Sequence, residues 1–503
     1  MTTEPVSPSP VTLRDIFHEI KMLEFSGDWK TPVSCLRTDS RLVIPGSIFF
    51  AIPGLNTNGV CFIEEAIGRG AAAVVTSGPA SPHAPVAWIR VEDIRKTLAA
   101  SARNFYHHPE RSLRVAGITG TNGKTTVSTL LHFLLQRGGK RWGLLGTVRY
   151  ELGERSLPSH RTTPEAPDIC SMMAQMVAAG CAGMAMEVSS HAIDQGRVDG
   201  LPFAALAFTN LSRDHMDYHS NMDTYFQVKA RPFLGECGAP PPDVAVINAS
   251  DPSGRRLAAM LPAGVRSLTF GEEEDAWMRA TNVDLQPGRS TFSVSTPEFS
   301  GDVVTTLPGR YNVSNILCAL ALAHALGGDL RELTASVADF PGVPGRMERV
   351  APELPYRIFV DYAHTDDALK NALEMLRTIT PGRLLVVFGC GGNRDRGKRP
   401  KMTGAVQEQA DFAWATADNP RKEPLQTIFD DMRGGITAAE KILFIEDRRH
   451  AISLALDAAH PGDTLLIAGK GHETYQEFLD VTVPFDDRQI ARELLNLKQY
   501  RTR

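Results

Sequence analysis

The sequence has no run of about eighteen consecutive apolar residues, the length a helix needs to cross a bilayer. That absence excludes a transmembrane helix. The first ten residues, MTTEPVSPSP, are polar and proline-rich, and Glu4 stands where a secretory signal would carry basic residues. No apolar segment follows, so the protein is expected in the cytoplasm, with no membrane partner. No CxxC pair occurs, and the seven cysteines (Cys35, Cys61, Cys170, Cys181, Cys237, Cys318 and Cys390) are widely spaced. Odd in number and without pattern, they exclude a zinc ribbon and a disulfide scaffold, and they fit a reducing compartment. A basic surplus is missing as well: Lys plus Arg number 53 against 58 Asp plus Glu, a formal net charge of −5. Nucleic acid is therefore not expected as a partner, and small molecules are. What remains is ordinary for a globular chain, with 43% apolar and 22% charged residues. At roughly 150 residues per domain, 503 residues suggest three domains.

Residues 1–10 read as a tail, and three blocks follow the boundaries 1–112, 113–345 and 346–503. In the first block, 47–52 and 71–76 read as strands, 63–68 as a helix and 104–111 as a boundary loop. In the second, the apolar run 113–118 ends in a glycine-rich turn, and a helix is expected over 123–136. Its apolar positions Val127, Leu130, Leu131, Leu134 and Leu135 share one helical face. Further strands are expected at 182–188, 204–208 and 244–247, a hairpin excursion over 275–300 and a helix over 313–326. No motif is legible in 150–160. The third block alternates strands (357–360, 384–388, 412–416, 442–445, 464–468) with helices (366–378, 401–409, 425–434, 450–459). This rhythm predicts a doubly wound, Rossmann-like parallel sheet, whose ligands bind beyond the carboxyl ends of the strands. The fold class is α/β.

The strongest local signal is Gly120, Thr121, Asn122, Gly123, Lys124, Thr125 and Thr126, between a strand and a helix. Glycines let backbone N–H groups approach phosphates, Lys124 supplies a cation, and Thr125 can hold a metal ion bridging phosphates. Ile118 occupies the first glycine position of the strict phosphate-loop pattern, but the strand–helix context stands, and a P-loop-type nucleotide site is expected. Glu187 closes an apolar strand in Glu187-Val188-Ser189-Ser190-His191, as a magnesium ligand or as a solvated strand end. His215 and His219 stand four apart, but Met216 holds the place of the general-base glutamate of H-E-x-x-H, which argues against a zinc peptidase. Arg394, Arg396, Lys398, Arg399 and Lys401 form either a solvated helix start or an anion site. Gly389, Gly391 and Gly392 do not meet G-x-G-x-x-G, so a nicotinamide dinucleotide site is not supported. Asp418-Asn419-Pro420-Arg421 is either a plain turn or a grip for a zwitterion, Asp for the ammonium and Arg for the carboxylate.

Taken together, these segments resemble the Mur ligase family over nearly the whole chain. The resemblance also rests on Thr38-Asp39-Ser40-Arg41, Thr162-Thr163-Pro164, Asp214-His215, Lys229 and Gly309-Arg310-Tyr311-Asn312 with Asn315. Gly345-Arg346, Asp361-Tyr362-Ala363-His364 and Gly469-Lys470-Gly471-His472-Glu473 complete it. It implies the family's three-domain architecture, and an ATP-dependent ligase acting on UDP-N-acetylmuramoyl-L-alanyl-D-glutamate through an acyl phosphate. Lys124, Glu187, His215 and Lys229 are the catalytic residues implied. Mg²⁺ would lie among Thr125, Glu187, His215 and Lys229, the lysine carbamylated. Asn312, Asn315, Arg346 and Asp361 would join the glycine-rich loop around ATP. Thr38, Ser40, Leu55, Asn56 and Thr57 would hold the UDP end, continued by Thr162, Thr163, Ser189, Gln195 and Arg197. Arg394, Asp418, Asn419, Pro420, Arg421, Gly469 and Glu473 would form the acceptor pocket. The D-N-P-R text implies meso-2,6-diaminopimelate as acceptor, because its second carboxylate suits Arg421. The family's usual continuation is one residue longer than Arg421-Lys422-Glu423-Pro424. A lysine-adding relative and a folylpolyglutamate-type ligase stay open, as does a nucleotide-driven regulator. A monomer is expected, and so is domain closure, since the ATP loop and the acceptor text lie in different blocks.

Overall fold

The computed structural model describes residues 11–54, 57–79, 85–286, 288–351 and 353–501. The tail expected at residues 1–10, and Leu55 and Asn56 of the expected UDP site, lie outside them.

Three large sheets follow one another along the chain, and a two-stranded ribbon, Tyr475–Phe478 with Val481–Pro484, comes after the third. The first has five strands in the order Glu24–Ser26, Ala87–Arg90, Ala73–Thr76, Ser47–Phe50, Cys35–Arg37. Only its first pair is antiparallel. The second sheet has eleven strands, centred on Arg114–Thr119 between Ala205–Phe208 and Gly183–Glu187. These central strands are buried almost without break, because helices cover both faces, so apolar runs replace polar alternation. The helix Lys124–Arg137 buries Val127, Leu130, Leu131, Leu134 and Leu135 on one face of the sheet, beside the helix Arg310–Ala325.

Both edges of this sheet are antiparallel. The expected excursion is the three strands Met278–Gln286, Arg289–Thr296 and Phe299–Thr305, which extend the sheet rather than stand apart from it. At the other edge, Arg149–Glu151 and Ser156–Pro158 occupy the stretch in which no motif was legible. Three-residue strands are too short to show a period. The boundary loop expected over 104–111 contains the end of the helix Ile94–Phe105 and a 3₁₀ turn at Pro109–Arg111.

The third sheet runs Glu348–Val350, Arg357–Asp361, Thr464–Ala468, Leu384–Cys390, Phe412–Ala417, Ile442–Ile445, with only the first strand antiparallel. The strand of this sheet that comes last in sequence, Thr464–Ala468, inserts between Arg357–Asp361 and Leu384–Cys390. The loops after Asp361, Cys390, Ala417 and Ala468 therefore lie side by side at the carboxyl end, where a doubly wound sheet opens a crevice. The helix Lys398–Gln409 begins three residues earlier than its apolar pattern indicated, which puts part of the basic cluster in its first turn.

Candidate active site

The turn between Thr119 and Lys124 is bound to the loop after the neighbouring strand. Thr209 Oγ1 donates to the Asn122 carbonyl (2.6 Å), and the Asn122 amide donates to Asn210 Oδ1 (2.9 Å). Gly123 has φ +88°, and a Cβ there would strike the Asn315 side chain, so glycine is required by both conformation and space. Lys124 Nζ donates to the carbonyls of Gly120 (2.9 Å) and Thr121 (2.8 Å). Burial pushes its pKa down, and Glu187 and Asp214 oppose that push. Glu187 is buried and accepts from Thr125 Oγ1 (3.0 Å), the Thr147 amide (2.7 Å) and Thr147 Oγ1 (2.9 Å).

A cavity of about 500 Å³ opens over this loop. Its floor is the segment Thr121 to Thr126, and its walls include Asn312, Asn315, Arg346 and Asp361. Asn315 Nδ2 donates to Asn312 Oδ1 (3.0 Å). Asp361 accepts from the amides of Met347 (2.7 Å) and Ala363 (2.9 Å); burial raises its pKa and Arg346 pulls it back. The third sheet's segment reaches across to the glycine-rich loop. Arg346 Nη2 donates to Thr125 Oγ1 (3.2 Å), and Asn122 Nδ2 donates to Asp367 Oδ2 (3.1 Å). The second and third blocks of the chain are thus in contact at the glycine-rich loop.

The residues expected to hold a cation were tested by what they offer. Among the described residues, no three His, Cys, Asp or Glu side chains converge into a metal cage. Thr125 and Glu187 instead present one hydroxyl and one carboxylate to the phosphate cavity. That donor set fits magnesium, which keeps waters and phosphate oxygens and takes only one or two carboxylates from protein. His215 lies on the same wall with a left-handed backbone (φ 55°). Burial lowers its pKa, leaving a neutral ring able to act as a ligand. Lys229 does not line the cavity. It is buried beneath it, donating to the Gly120 carbonyl (2.9 Å), with Nζ 4.7 Å from the centre of the Tyr225 ring. Burial, then the neighbouring Lys124, drive its pKa well down, so the neutral amine is accessible.

A second cavity, of about 290 Å³, adjoins the first. Asp214, His215, Tyr362 and His364 line both. Arg394, Asp418, Asn419, Arg421, Gly469 and Glu473 line the second, so all the expected acceptor residues except Pro420 face one space. Arg421 holds φ 54°, its amide donating to the Glu477 carbonyl (3.0 Å) and its carbonyl accepting from Leu479 (2.7 Å). Its guanidinium bridges Glu477 (2.8 Å) and the Gly392 carbonyl (3.0 Å). Arg394 is exposed and, among the described residues, pairs with no carboxylate. Gly469 has φ +116°, and a Cβ there would lie 2.7 Å from Asp418 Oδ2.

The residues expected around the UDP end fall into two groups. Thr163, Ser189, Gln195 and Arg197 are joined by hydrogen bonds: Arg197 donates to the Thr163 carbonyl (2.9 Å) and to Gln195 Oε1 (2.6 Å), and the Ser189 amide to Thr163 Oγ1 (3.1 Å). Thr162 accepts from Thr147 on the wall of the first cavity. Thr38 is exposed, and Ser40 is buried against Glu65 (2.7 Å); no described hydrogen bond links them to the other group.

The basic cluster divides between a buried clamp, a surface pair and the wall of the second cavity. Arg399 is fully buried and clamps Glu423 (2.7 Å) and Asp431 (2.8 Å). Arg396 pairs with Asp431 at the surface, while Arg394 and Lys398 face the second cavity. Glu423 also accepts from the Asn393 amide (2.9 Å), so the text after Arg421 ties the loops that follow Cys390 and Ala417 together. Sequence reasoning assigned no role to Thr147, Tyr311, Tyr362 or Asp367. Tyr362 was within reach, since the text following a strand end had been singled out.

Family models match three consecutive stretches: "Mur ligase family, catalytic domain" at residues 32–106, "Mur ligase middle domain" at 118–323 and "Mur ligase, glutamate ligase domain" at 345–471. A Solibacter usitatus protein named UDP-N-acetylmuramoyl-L-alanyl-D-glutamate–2,6-diaminopimelate ligase is 42% identical over 476 residues, covering 93% of this chain and 94% of its own. A protein of the same name from Thermosynechococcus vestitus is 44% identical over 473 residues, with coverage of 93% and 94%. A solved structure with that name superposes with a TM-score of 0.67 at 33% identity, covering 97% of this chain and 99% of its own.

Proposed function

The chain belongs to the Mur ligase family, and from that premise we propose that it joins meso-2,6-diaminopimelate to UDP-N-acetylmuramoyl-L-alanyl-D-glutamate at the expense of ATP. The product is a UDP-linked tripeptide for peptidoglycan, made in the cytoplasm. Residues 1–112 would serve the UDP end, 113–345 ATP, and 346–503 the amino acid.

One observation carries this reading: a phosphate-loop cavity and a zwitterion-sized cavity share a wall. A ligase that activates a carboxylate on one side and receives an amine on the other needs that arrangement. The D-glutamyl γ-carboxylate attacks the γ-phosphorus of ATP, giving an acyl phosphate and ADP. The neutral amine of the acceptor then attacks the acyl carbon, phosphate departs with the C–O bond electrons, and an amide forms. Lys124 and Arg346 neutralise phosphate charge in this scheme, since phosphoryl transfer depends on positioning and charge compensation. Mg²⁺, when bound, would add to that compensation, with Thr125, Glu187, His215 and a carbamylated Lys229 to hold it. Carbamylation needs the neutral amine that burial favours, and it turns a cation into a carboxylate-like ligand. Arg421 and Arg394 would hold the distal carboxylate of the acceptor, and Asp418, Asn419 and Glu473 its ammonium.

The test is phosphate release from ATP with the UDP-muramoyl dipeptide, comparing meso-diaminopimelate, L-lysine and no amino acid. Release only with diaminopimelate is expected. Release with L-lysine in its place would overturn the acceptor assignment, and release without either would favour a nucleotide-driven regulator.

A further inference from the structure

Lys470 is completely buried at the base of the second cavity. It donates to Asn419 Oδ1 (3.0 Å) and Glu473 Oε2 (2.9 Å), and its ammonium lies 3.9 Å from Asp418 Oδ1. Asn419 Nδ2 in turn donates to the same Glu473 oxygen (2.9 Å). One lysine thus touches or adjoins three residues of the acceptor pocket without lining it. Burying an ammonium is costly unless it is paired, so its partners are held as firmly as it is.

We propose that Lys470 is a positioning residue: it clamps Glu473 and Asn419 and offsets one of the two carboxylates, so that the pocket offers a single net negative charge to the acceptor's ammonium. This rests on the acceptor reading above and deepens it. Without Lys470, Asp418 and Glu473 would face each other as uncompensated like charges. Burial already raises the Glu473 pKa, with Asp418 adding to the rise, while Lys470 and Asn419 draw it down. Other charged or titratable groups around Glu473 are Arg448 behind the strand ends, the phenols of Tyr362 and Tyr475, and Arg394, Lys398 and Arg421 on the wall of the same cavity. Removing Lys470 therefore favours the protonated carboxyl, which offers an ammonium no charge. Binding that needs ionised Glu473 is lost as pH falls through its pKa, so the acid limb moves to higher pH when that pKa rises.

The experiment is the pH dependence of KM for meso-diaminopimelate in wild type, Lys470→Met and Glu473→Gln, with KM for ATP measured alongside. Lys470→Met should raise the acceptor KM at neutral pH at least about tenfold, the loss expected for a charge-assisted contact. The deficit should shrink toward alkaline pH, and KM for ATP should stay unchanged. Glu473→Gln should abolish the acid limb altogether, and it tests the same link should Lys470→Met fail to fold. An unshifted profile in Lys470→Met, equal rises in both KM values, or an acid limb retained in Glu473→Gln would overturn the clamp. A wild type idle with diaminopimelate would overturn the function reading itself, a result distinguishable from any of these.

Discussion

Replacing Asp487 by Asn removes one charge from a fully buried ion pair and leaves its shape. Arg448 and Asp487 are both wholly inaccessible, joined by Nε–Oδ1 (2.8 Å) and Nη2–Oδ2 (2.7 Å). Arg448 also donates to the carbonyls of Ala468 (2.9 Å) and Ala417 (3.4 Å), the residues just before Gly469 and Asp418 on the wall of the second cavity. In Asp487→Asn the guanidinium stays buried with carbonyls as its main acceptors, a loss of ~3–5 kcal/mol. At about 2–4 °C per kcal/mol for a domain of this size, the unfolding midpoint of the C-terminal part should fall by roughly 6–20 °C. The assay is calorimetry on the whole protein, wild type beside variant, reading the shift of the unfolding transition. The double variant Arg448→Met with Asp487→Leu removes both charges and should recover much of the loss, because apolar replacement of a buried pair is often neutral. Its acceptor KM should nonetheless stay high, since nothing then fixes the strand ends behind Asp418 and Gly469. A loss below about 1 kcal/mol in the single variant, the range of an exposed pair, would refute the reasoning. So would a double variant as unstable as the single one.

Arg421→Ala should raise KM for diaminopimelate by the equivalent of about 2–5 kcal/mol while leaving KM for ATP unchanged; steady-state kinetics decides it. Hydrogen bonding from Arg399 holds the Glu423 carboxyl far below its ordinary range, at about 2. Its stabilisation is therefore complete above the ordinary glutamate pKa and drains away as pH falls toward 2, so Glu423→Gln should flatten acid unfolding in that window, read by fluorescence. Labelled bicarbonate should give a carbamate carbon resonance in wild type that Lys229→Arg lacks, with turnover falling in carbon-dioxide-free buffer and returning on adding bicarbonate.

The elements legible in the sequence are those whose burial repeats over several residues. The third sheet's alternation places Ile442–Ile445 and Thr464–Ala468 at the observed bounds: the central Thr464–Ala468 is buried throughout, and the edge strand Ile442–Ile445 is apolar although only Ile442 is fully buried. Glu24–Ser26 and Glu348–Val350 carry no such mark: they are short, partly exposed edge strands recruited by their neighbours. The phosphate loop is readable because close backbone approach demands glycine and charge demands lysine. Arg399 and Arg394 show the limit, since identical side chains five residues apart take opposite roles, one buried against Glu423 and one open to the cavity. Which arginine meets a carboxylate depends on the loop after Ala417, distant in sequence. Lys470 takes its role only from the three neighbours that the fold brings around it, Asp418, Asn419 and Glu473.

The contacts from Arg346 to Thr125 and from Asp367 to Asn122 bear on how such enzymes can be recombined. Apart from its shared wall and from His191 and Asp217, the second cavity is lined from beyond residue 390, so exchanging that stretch with a relative is the obvious route to a new amino-acid preference. Yet the preceding stretch, with Arg346, Asp361 and Asp367, belongs physically to the nucleotide cavity. A chimera cut at the border between the second and third sheets would split one nucleotide cavity between two parents. A cut after the helix Asp366–Ile379 keeps the first cavity in a single lineage and transfers every residue of the second cavity from Gly391 onward.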